Sequence, residues 1–309
     1  MKKFLPALAL ISTCHIVCFP AFDTAMGKNH PHYASYFDTA KQDQEAYDLL
    51  AQQYARTMRI PTTSDAVRIP KIIHHIWLGS AIPESYQHYI QSWRTHHPEW
   101  EHILWDDASI QELNLENKDL YDAAINYGER SDIARYEILY RFGGLYVDTD
   151  FACIQAFDAL HYTFDLYVGI ELPGMALFLG RSIIIANSLI ACTPGHTMMR
   201  ACIDTLRTQQ HINDIVKRSG PIFFTNVFLA HAGSLTSFDI ALPALYFYPL
   251  DKNTKDPHVI QKCVQPYTYA IHYWAGSWIL KQEAFVPGIT LTSQQEGNTL
   301  RFRIIDRRK

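Results

Sequence analysis

Two aspartates, Asp148 and Asp150, end the run Leu145-Tyr146-Val147-Asp148-Thr149-Asp150. On an extended chain alternate side chains share a face, so Tyr146, Asp148 and Asp150 project together. Two carboxylates at this spacing, at the open end of a strand, can share one divalent cation. Hard oxygen ligands suit Mn²⁺ or Mg²⁺. The same spacing also occurs in solvated turns, so its setting matters. Ser131 to Asp150 reads as helix, tight turn, strand and acidic end. Ser131 reads as an N-cap. Ile133, Tyr136, Leu139 and Tyr140 recur at near-helical spacing, and Gly143-Gly144 stops the helix. Asp132, Arg135 and Tyr136 then share one helix face at i, i+3 and i+4.

Two other places could do chemistry. Trp77 ends the apolar run Ile72 to Leu78 and is followed by Gly79. An indole there is either a core residue or an exposed stacking platform. His272 opens the cluster His272-Tyr273-Trp274-Ala275-Gly276-Ser277-Trp278. It reads either as a satisfied histidine in an aromatic strand or as a metal ligand. His74 and His75 show no ligand spacing, and at most one of them is expected near a ligand. Phosphate-loop, His-Glu-x-x-His and Gly-x-Ser-x-Gly signatures are absent from the sequence.

Ser131-Asp132, Arg135-Tyr136, Gly143-Gly144, Tyr146, Asp148 and Asp150, in one register, resemble the glycosyltransferases that carry an Asp-x-Asp sugar-binding region. These are similar to yeast Golgi mannosyltransferases and bacterial polysaccharide transferases and, more distantly, clostridial glucosylating toxins. The resemblance runs from about Arg68 to Trp278. It implies a GT-A-type fold, an α/β Rossmann-like sandwich with one nucleotide-binding face, here with a helical N-terminal extension. It implies a nucleotide-sugar donor (UDP- or GDP-linked), a glycan or protein acceptor, and Mn²⁺ or Mg²⁺ as cofactor. Trp77 would stack on the base, and Tyr146 would touch nucleotide or sugar. Asp132 and Arg135 would hold sugar hydroxyls, for which acceptors beside a guanidinium fork are suited. Asp148, Asp150 and His272 would hold the metal, with Asp150 a direct ligand. Ser277 and Trp278 would donate to the diphosphate. Glu171 and Asn187 match less specific positions on the acceptor side.

The resemblance also implies retention at the anomeric carbon. No carboxylate stands out as a nucleophile, so same-face transfer assisted by the leaving diphosphate is the expected route. Two rivals are a catalytically degenerate glycan-binding module on the same scaffold and a metal-dependent phosphodiesterase. The latter usually needs more His and Asp ligands than this sequence gathers.

Composition bounds these readings. The 309 residues are 48% hydrophobic and 19% charged, with net charge −4, which fits a well-cored protein and gives no footprint for nucleic acid. Lys2 and Lys3 precede an uncharged stretch from Phe4 to Phe22, with small residues at Ala21 and Ala25. This reads as an export signal over 1–25, or alternatively as an anchor through 4–22, the one membrane contact expected. Cys153, Cys192, Cys202 and Cys263 fit no zinc spacing and read as buried thiols.

The chain divides into a leader at 1–25 and a helical extension and linker at 26–66. The glycosyltransferase domain follows at 67–285, and a tail at 286–309. One helix is expected over Tyr36–Met58 and a linker at Pro61–Ser64. Ile72–Leu78, a helix opened by Pro83, and Glu101–Trp105 form a βαβ unit, implying a parallel sheet with ligands at strand C-terminal ends. Further strands are expected at Asp165–Ile170, Ser182–Ala186, Leu245–Tyr248 and Thr268–Tyr273. Helices are expected at His196–Gln209 and Pro221–His231.

Overall fold

A computed structural model describes residues 19–39, 43–59, 66–275, 289–296 and 299–306. Three helices come first: α1 (Phe22–Ala25), α2 (Ala34–Thr39) and α3 (Gln44–Thr57). The single helix expected over Tyr36–Met58 is broken between α2 and α3. Asp43 there takes a left-handed φ of 62°, a conformation Asp tolerates better than most residues. Its carboxylate accepts from the Ser182 backbone N–H at 3.0 Å and from Arg181 at 3.3 Å.

These helices are part of the main core. Phe22, Ala25, Met26, Tyr33, Leu50 and Tyr54 are buried in it. Tyr54 Oη lies 3.0 Å from Tyr246 Oη, and Gln53 donates to the Asp239 carbonyl at 2.8 Å. The expected division after residue 25 therefore falls inside packed structure. Residues 1–18 and the linker at 61–64 lie outside the described residues. Among the described residues no helix is long and apolar enough to cross a membrane.

The βαβ unit forms as expected from β1 (Ile72–Ile76), α4 (Glu84–His96) and β2 (Glu101–Trp105). The two strands are parallel, with Ile72 opposite Glu101 and Ile76 opposite Trp105. Pro83 is the N-cap of α4, one position before the expected first turn, and Tyr89, Ile90 and Trp93 face inward. Next come α5 (Asp107–Glu112), α6 (Lys118–Ala123) and α7 (Tyr127–Phe142). The N-cap of α7 is Asn126, whose side chain accepts from the Glu129 N–H at 2.8 Å. Ser131 is thus inside the helix, and Asp132 is too far along it to draw on the helix dipole. Tyr127 to Arg130 contain no apolar repeat, so periodicity alone could not reveal that added turn.

Gly143 and Gly144, with φ of 63° and 88°, turn the chain into β3 (Gly144–Val147). A Cβ on Gly144 would sit 2.7 Å from the Ile72 carbonyl oxygen, so the close approach of β3 to β1 needs glycine. The rest of the domain comprises β4 (Phe151–Cys153), α8 (Asp158–Thr163), β5 (Leu166–Ile170), α9 (Pro173–Phe178), β6 (Ile185–Cys192), α10 (Thr197–Leu206), α11 (Ile215–Arg218), α12 (Pro221–Ala230), β7 (Asp239–Leu242), α13 (Pro257–Cys263) and β8 (Ala270–His272). A hairpin, β9 (Ile289–Glu296) and β10 (Thr299–Asp306), ends the described chain.

Six strands form one sheet in the order β2-β1-β3-β6-β5-β7. The α/β expectation holds, but the sheet is mixed: β6 runs antiparallel to both β3 and β5. The crossover rule governs only the strands that a βαβ unit joins. β6 is buried on both faces, and such a strand reads the same in either direction. The strand expected at Ser182–Ala186 is this one, beginning three residues later and running to Cys192. Leu245–Tyr248 is no strand: Ala244–Tyr246 is a 3-10 turn, and β7 precedes it.

Because the N-terminal helices share the core, Leu50→Ala should cost the whole domain about 2–5 kcal/mol. Urea unfolding checks this. A main transition unchanged within about 0.5 kcal/mol, the ordinary effect of a surface change, would mean that α3 is an appendage.

Candidate functional site

β3 leaves the centre of the sheet at Val147, and the two aspartates follow at its C-terminal end. Tyr146 Oη donates to Asp148 Oδ1 at 2.6 Å. The Asp148 N–H bonds the Ser188 carbonyl at 2.9 Å, so the backbone is held against β6 one residue beyond the strand. The chain turns and enters β4, which pairs antiparallel with β8, Phe151 facing His272 across the register. That pairing brings His272 Nε2 to 3.2 Å from Asp150 Oδ1. The imidazole stacks on Phe151, centroids 4.4 Å apart and rings 3° from parallel. Asp148, Asp150 and His272 each offer a ligand atom, all within 4.8 Å of one another. Two carboxylates and an imidazole fit a hard or borderline divalent cation such as Mn²⁺.

Trp274, two residues beyond His272, takes a left-handed φ of 55°, uncommon for a bulky residue. Its indole donates to the Leu250 carbonyl at 2.9 Å. The next residue, Ala275, turns its N–H onto Asp150 Oδ2 at 2.8 Å. Strain of this kind gathers where a site needs a particular backbone direction. Nothing in the sequence marked Trp274 apart from the other aromatics of its cluster.

Across the cleft, α7 brings up Asp132 and Arg135. The Arg135 side chain is 5% exposed. Nε donates to the Ser131 carbonyl at 3.2 Å. One terminal nitrogen reaches the Asn187 carbonyl at 2.7 Å and Asp148 Oδ1 at 3.2 Å. The other reaches Ser131 Oγ and Asp132 Oδ1, both at 3.1 Å. The guanidinium carbon lies 4.4 Å from the centroid of the Tyr146 ring. These five acceptors match the five N–H donors of a guanidinium. Asp132 is likewise engaged, by Asn187 Nδ2 at 2.8 Å and Ser219 Oγ at 3.0 Å. Ser131, expected as a cap, is a partner of Arg135 instead. Tyr136 is buried, accepts from Asn187 Nδ2 and donates to the Ser219 carbonyl.

Burial dominates the electrostatics. It pushes the Asp132 carboxyl up to about 6, against the pull of Arg135 and Ser219. Asp148 and Asp150 titrate as a pair. Burial raises Asp148, with Arg135 opposing and the charge of Asp150 adding to the rise. Asp150 meets the same desolvation, but His272 and the Ala275 N–H outweigh it and hold the carboxyl below its usual range. Burial works against charge on His272 too, and Asp150 outweighs it, so this imidazole is raised.

Trp77 lies just past β1, its backbone N–H on the Trp105 carbonyl. The indole is half-buried, 4.8 Å from the Tyr86 ring, with Nε1 on Ser80 Oγ at 3.2 Å. Asn187 sits in β6 within the Asp132–Arg135 network. Glu171 follows β5 and is 4% exposed. Ser277 and Trp278 lie outside the described residues. Neither of the β1 histidines reaches the ligand side. His74 Nε2 bonds the Gly143 carbonyl at 2.9 Å and Nδ1 accepts from Trp105, while His75 Nδ1 bonds the Val147 carbonyl at 2.9 Å. Both link β1 to its neighbours inside the core.

Residues 83–165 match the family described as glycosyltransferase sugar-binding region containing DXD motif. That match, over about a quarter of the chain, agrees with the resemblance to Asp-x-Asp glycosyltransferases. The match runs from α4 past the Asp-x-Asp pair to the end of α8, and leaves out Trp77, Glu171, Asn187 and His272. The chain is similar to inositol phosphoceramide mannosyltransferase 1 of Schizosaccharomyces pombe, 28% identical over 58% of this chain and 57% of the relative. Inositol phosphoceramide mannosyltransferase 3 of the same yeast is 37% identical over 32% of this chain and 30% of the relative. Subversion of eukaryotic traffic protein A of Legionella pneumophila is 26% identical over 49% and 27%. The chain therefore spans less than two thirds of each of these curated relatives. Among solved structures it is similar to PaToxG glycosyltransferase, with a TM-score of 0.47 and 19% identity over 66% of this chain and 82% of that one.

Burial lowers His74 and His75 to about 4. A buried neutral histidine stabilises fully above its unfolded value of about 6.5. That contribution is lost as pH falls from there through about 4. At pH 5.5 both rings should therefore remain neutral in imidazole NMR of the folded protein. Titration near 6.5 would place them in solvent.

Proposed function

We propose that this protein is a divalent-metal-dependent, retaining glycosyltransferase that moves a hexose from a nucleoside-diphosphate sugar to a glycan or protein acceptor. The observation that carries this reading is the meeting of Asp148, Asp150 and His272 beside the Asp132–Arg135 pair. A cation held by Asp148, Asp150 and His272 would supply neutralisation of the diphosphate charge. Trp77 offers the nucleotide base a half-open aromatic face at the strand end where such ligands bind.

The sugar would lie between Asp132 and the metal-binding carboxylates. Since the donors of Arg135 already have partners, its first role is to hold Asp132, Asp148 and the β6 backbone in register. A sugar hydroxyl that bonds Arg135 must replace one of those partners. Asn187 orients Asp132, with its own side chain at the sugar's edge.

In the transfer step the acceptor oxygen bonds to the anomeric carbon on the face that the diphosphate leaves. The bond from that carbon to the β-phosphate oxygen breaks, and its electron pair stays on the diphosphate. The departing oxygen takes the acceptor proton. No covalent sugar–enzyme adduct forms, and trapping one on any side chain would overturn this route.

With a panel of nucleotide sugars and Mn²⁺, release of nucleoside diphosphate is expected, abolished by EDTA. Asp148→Asn or Asp150→Asn should lower it by about 10²-fold or more, the scale for loss of a charge-stabilising group. Release of sugar phosphate would point to a phosphodiesterase, and no turnover with any donor to a glycan-binding module.

Base stacking on an aromatic contributes about 1–3 kcal/mol. Trp77→Ala should therefore weaken nucleotide binding about 5- to 100-fold in calorimetry, with little change in melting temperature. A lower melting temperature with unchanged nucleotide affinity would make Trp77 a core residue.

A further inference from the structure

Asp132 is not alone on its side of α7. Glu129, Asp132 and Tyr136, at i, i+3 and i+7, share one stripe of that helix. The chain at Arg218-Ser219, where α11 ends, is fastened to all three. Arg218 Nε and one terminal nitrogen both meet Glu129 Oε1 at 2.6 Å, and the other terminal nitrogen donates to the Ile212 carbonyl at 2.6 Å. Ser219 Oγ donates to Asp132 Oδ2 at 3.0 Å, and Tyr136 Oη donates to the Ser219 carbonyl at 2.8 Å. Asn187 Nδ2 closes the ring, donating to Tyr136 Oη at 3.1 Å and to Asp132 Oδ1 at 2.8 Å.

An ionised carboxylate has about four acceptor sites. Asn187 and Arg135 occupy two on Asp132 Oδ1, and Ser219 occupies one on Oδ2. One site remains, on Oδ2, and the Asp132 side chain is 13% exposed, so a ligand can reach it. The Ser219 hydroxyl has a single hydrogen and a second acceptor in reach, the Ile215 carbonyl at 3.3 Å. Rotation about one bond would move it there and open Oδ2. The backbone position at 218–219 decides between the two, and the Glu129–Arg218 pair sets that position. The pair is buried, the Arg218 and Glu129 side chains being 14% and 4% exposed. It is not arranged for greatest stability: both nitrogens share Oε1, while Oε2 is buried with no hydrogen bond among the described residues. The best-attested use of such a pair is to fix one arrangement of the chain.

We propose that Arg218 is a positioning residue for donor-sugar selectivity. Anchored on Glu129, it holds Ser219 on Asp132 Oδ2 and leaves that carboxylate one open acceptor site, hence one direction from which to take a sugar hydroxyl. This rests on the transferase reading above, and it concerns which hexose fits rather than whether transfer occurs. The epimer of the preferred sugar would bring its hydroxyl to the side of Oδ2 that Ser219 already fills. With Ser219 released, Oδ2 offers two open sites and accepts either configuration.

The test measures nucleoside diphosphate release by the full chain with Mn²⁺ and epimeric donors: UDP-glucose and UDP-galactose, the corresponding UDP-N-acetylhexosamines, and GDP-mannose and GDP-glucose. The readout is the ratio of kcat/KM for the preferred donor to that for its epimer. Ser219→Ala, which leaves the ion pair intact, should lower this ratio about 10-fold, the scale of one hydrogen bond to a charged group. Ser219→Thr, which keeps a hydroxyl, should retain it. Glu129→Gln together with Arg218→Met removes the pair without stranding a buried charge, and should lower the ratio by a similar factor. Adding Ser219→Ala to that variant should cost nothing further, because both changes act through one contact. A ratio within twofold of wild type in Ser219→Ala or in the paired variant would overturn the proposal, even with a lower melting temperature, since a purely structural role gives that result. Full additivity in the combined variant would overturn it too. Absence of turnover by the wild type would overturn the transferase reading and this proposal together.

Discussion

The site is built around a guanidinium that is almost wholly buried. Placing Arg135 in the interior is tolerable only if its charge and each N–H are met. Asp132, Asp148, Ser131, two backbone carbonyls and the face of Tyr146 do this together. The consequence runs in both directions. The carboxylates make the cation possible, and the cation lets two acids sit in the same desolvated cleft. Removal of Arg135 would leave Asp132 and Asp148 facing each other without compensation. That is the costlier half of breaking a buried pair, so the residue holds the cleft together structurally.

A second charge balance lies beside the first. Asp148 draws on Arg135 and Asp150 draws on His272, so each carboxylate of the pair has its own counterion before any metal arrives. This division accounts for their opposite displacement on titration. Asp148 keeps a third of its side chain open and remains the easier of the two to protonate, whereas Asp150 is clamped by an imidazole and a backbone N–H. On the proposed reading, a divalent cation entering between them would meet one partly open carboxylate, Asp148, and one already clamped, Asp150.

Local pattern carried much of this. The βαβ unit, the glycine stop after α7 and the acidic strand end are short-range features, and each appears where its spacing placed it. What the pattern could not carry is distance and direction. His272 stands more than a hundred residues from Asp150, and only the antiparallel register of β4 with β8 makes them neighbours. β6 looks alike in both senses, so nothing in its composition announces that it reverses the sheet. Ser131 shows the subtler failure: a serine before an apolar repeat is a sound cap signal, yet Asn126 wins because the helix can extend one polar turn toward it. The resemblance implies that Arg135 donates to sugar hydroxyls, and residue type is compatible with that. Only packing shows that its bonds are already made.

The same logic reaches the N-terminal helices. Tyr33 donates to the Pro249 carbonyl and Tyr36 to Asp251 at 2.8 Å. Between those two anchors lies Leu250, whose carbonyl takes the indole N–H of Trp274. Trp274 is the residue whose left-handed backbone turns Ala275 onto Asp150. A strained residue persists only where its surroundings over-determine it, and here part of that surrounding is supplied from the beginning of the chain. A domain drawn from residue 67 would contain every proposed ligand, yet it would leave the far wall of the proposed cation site without its backing. The physical unit that presents Asp150 begins with the first packed helix, and the helices before β1 are as much a part of the site as the strand that carries the aspartates.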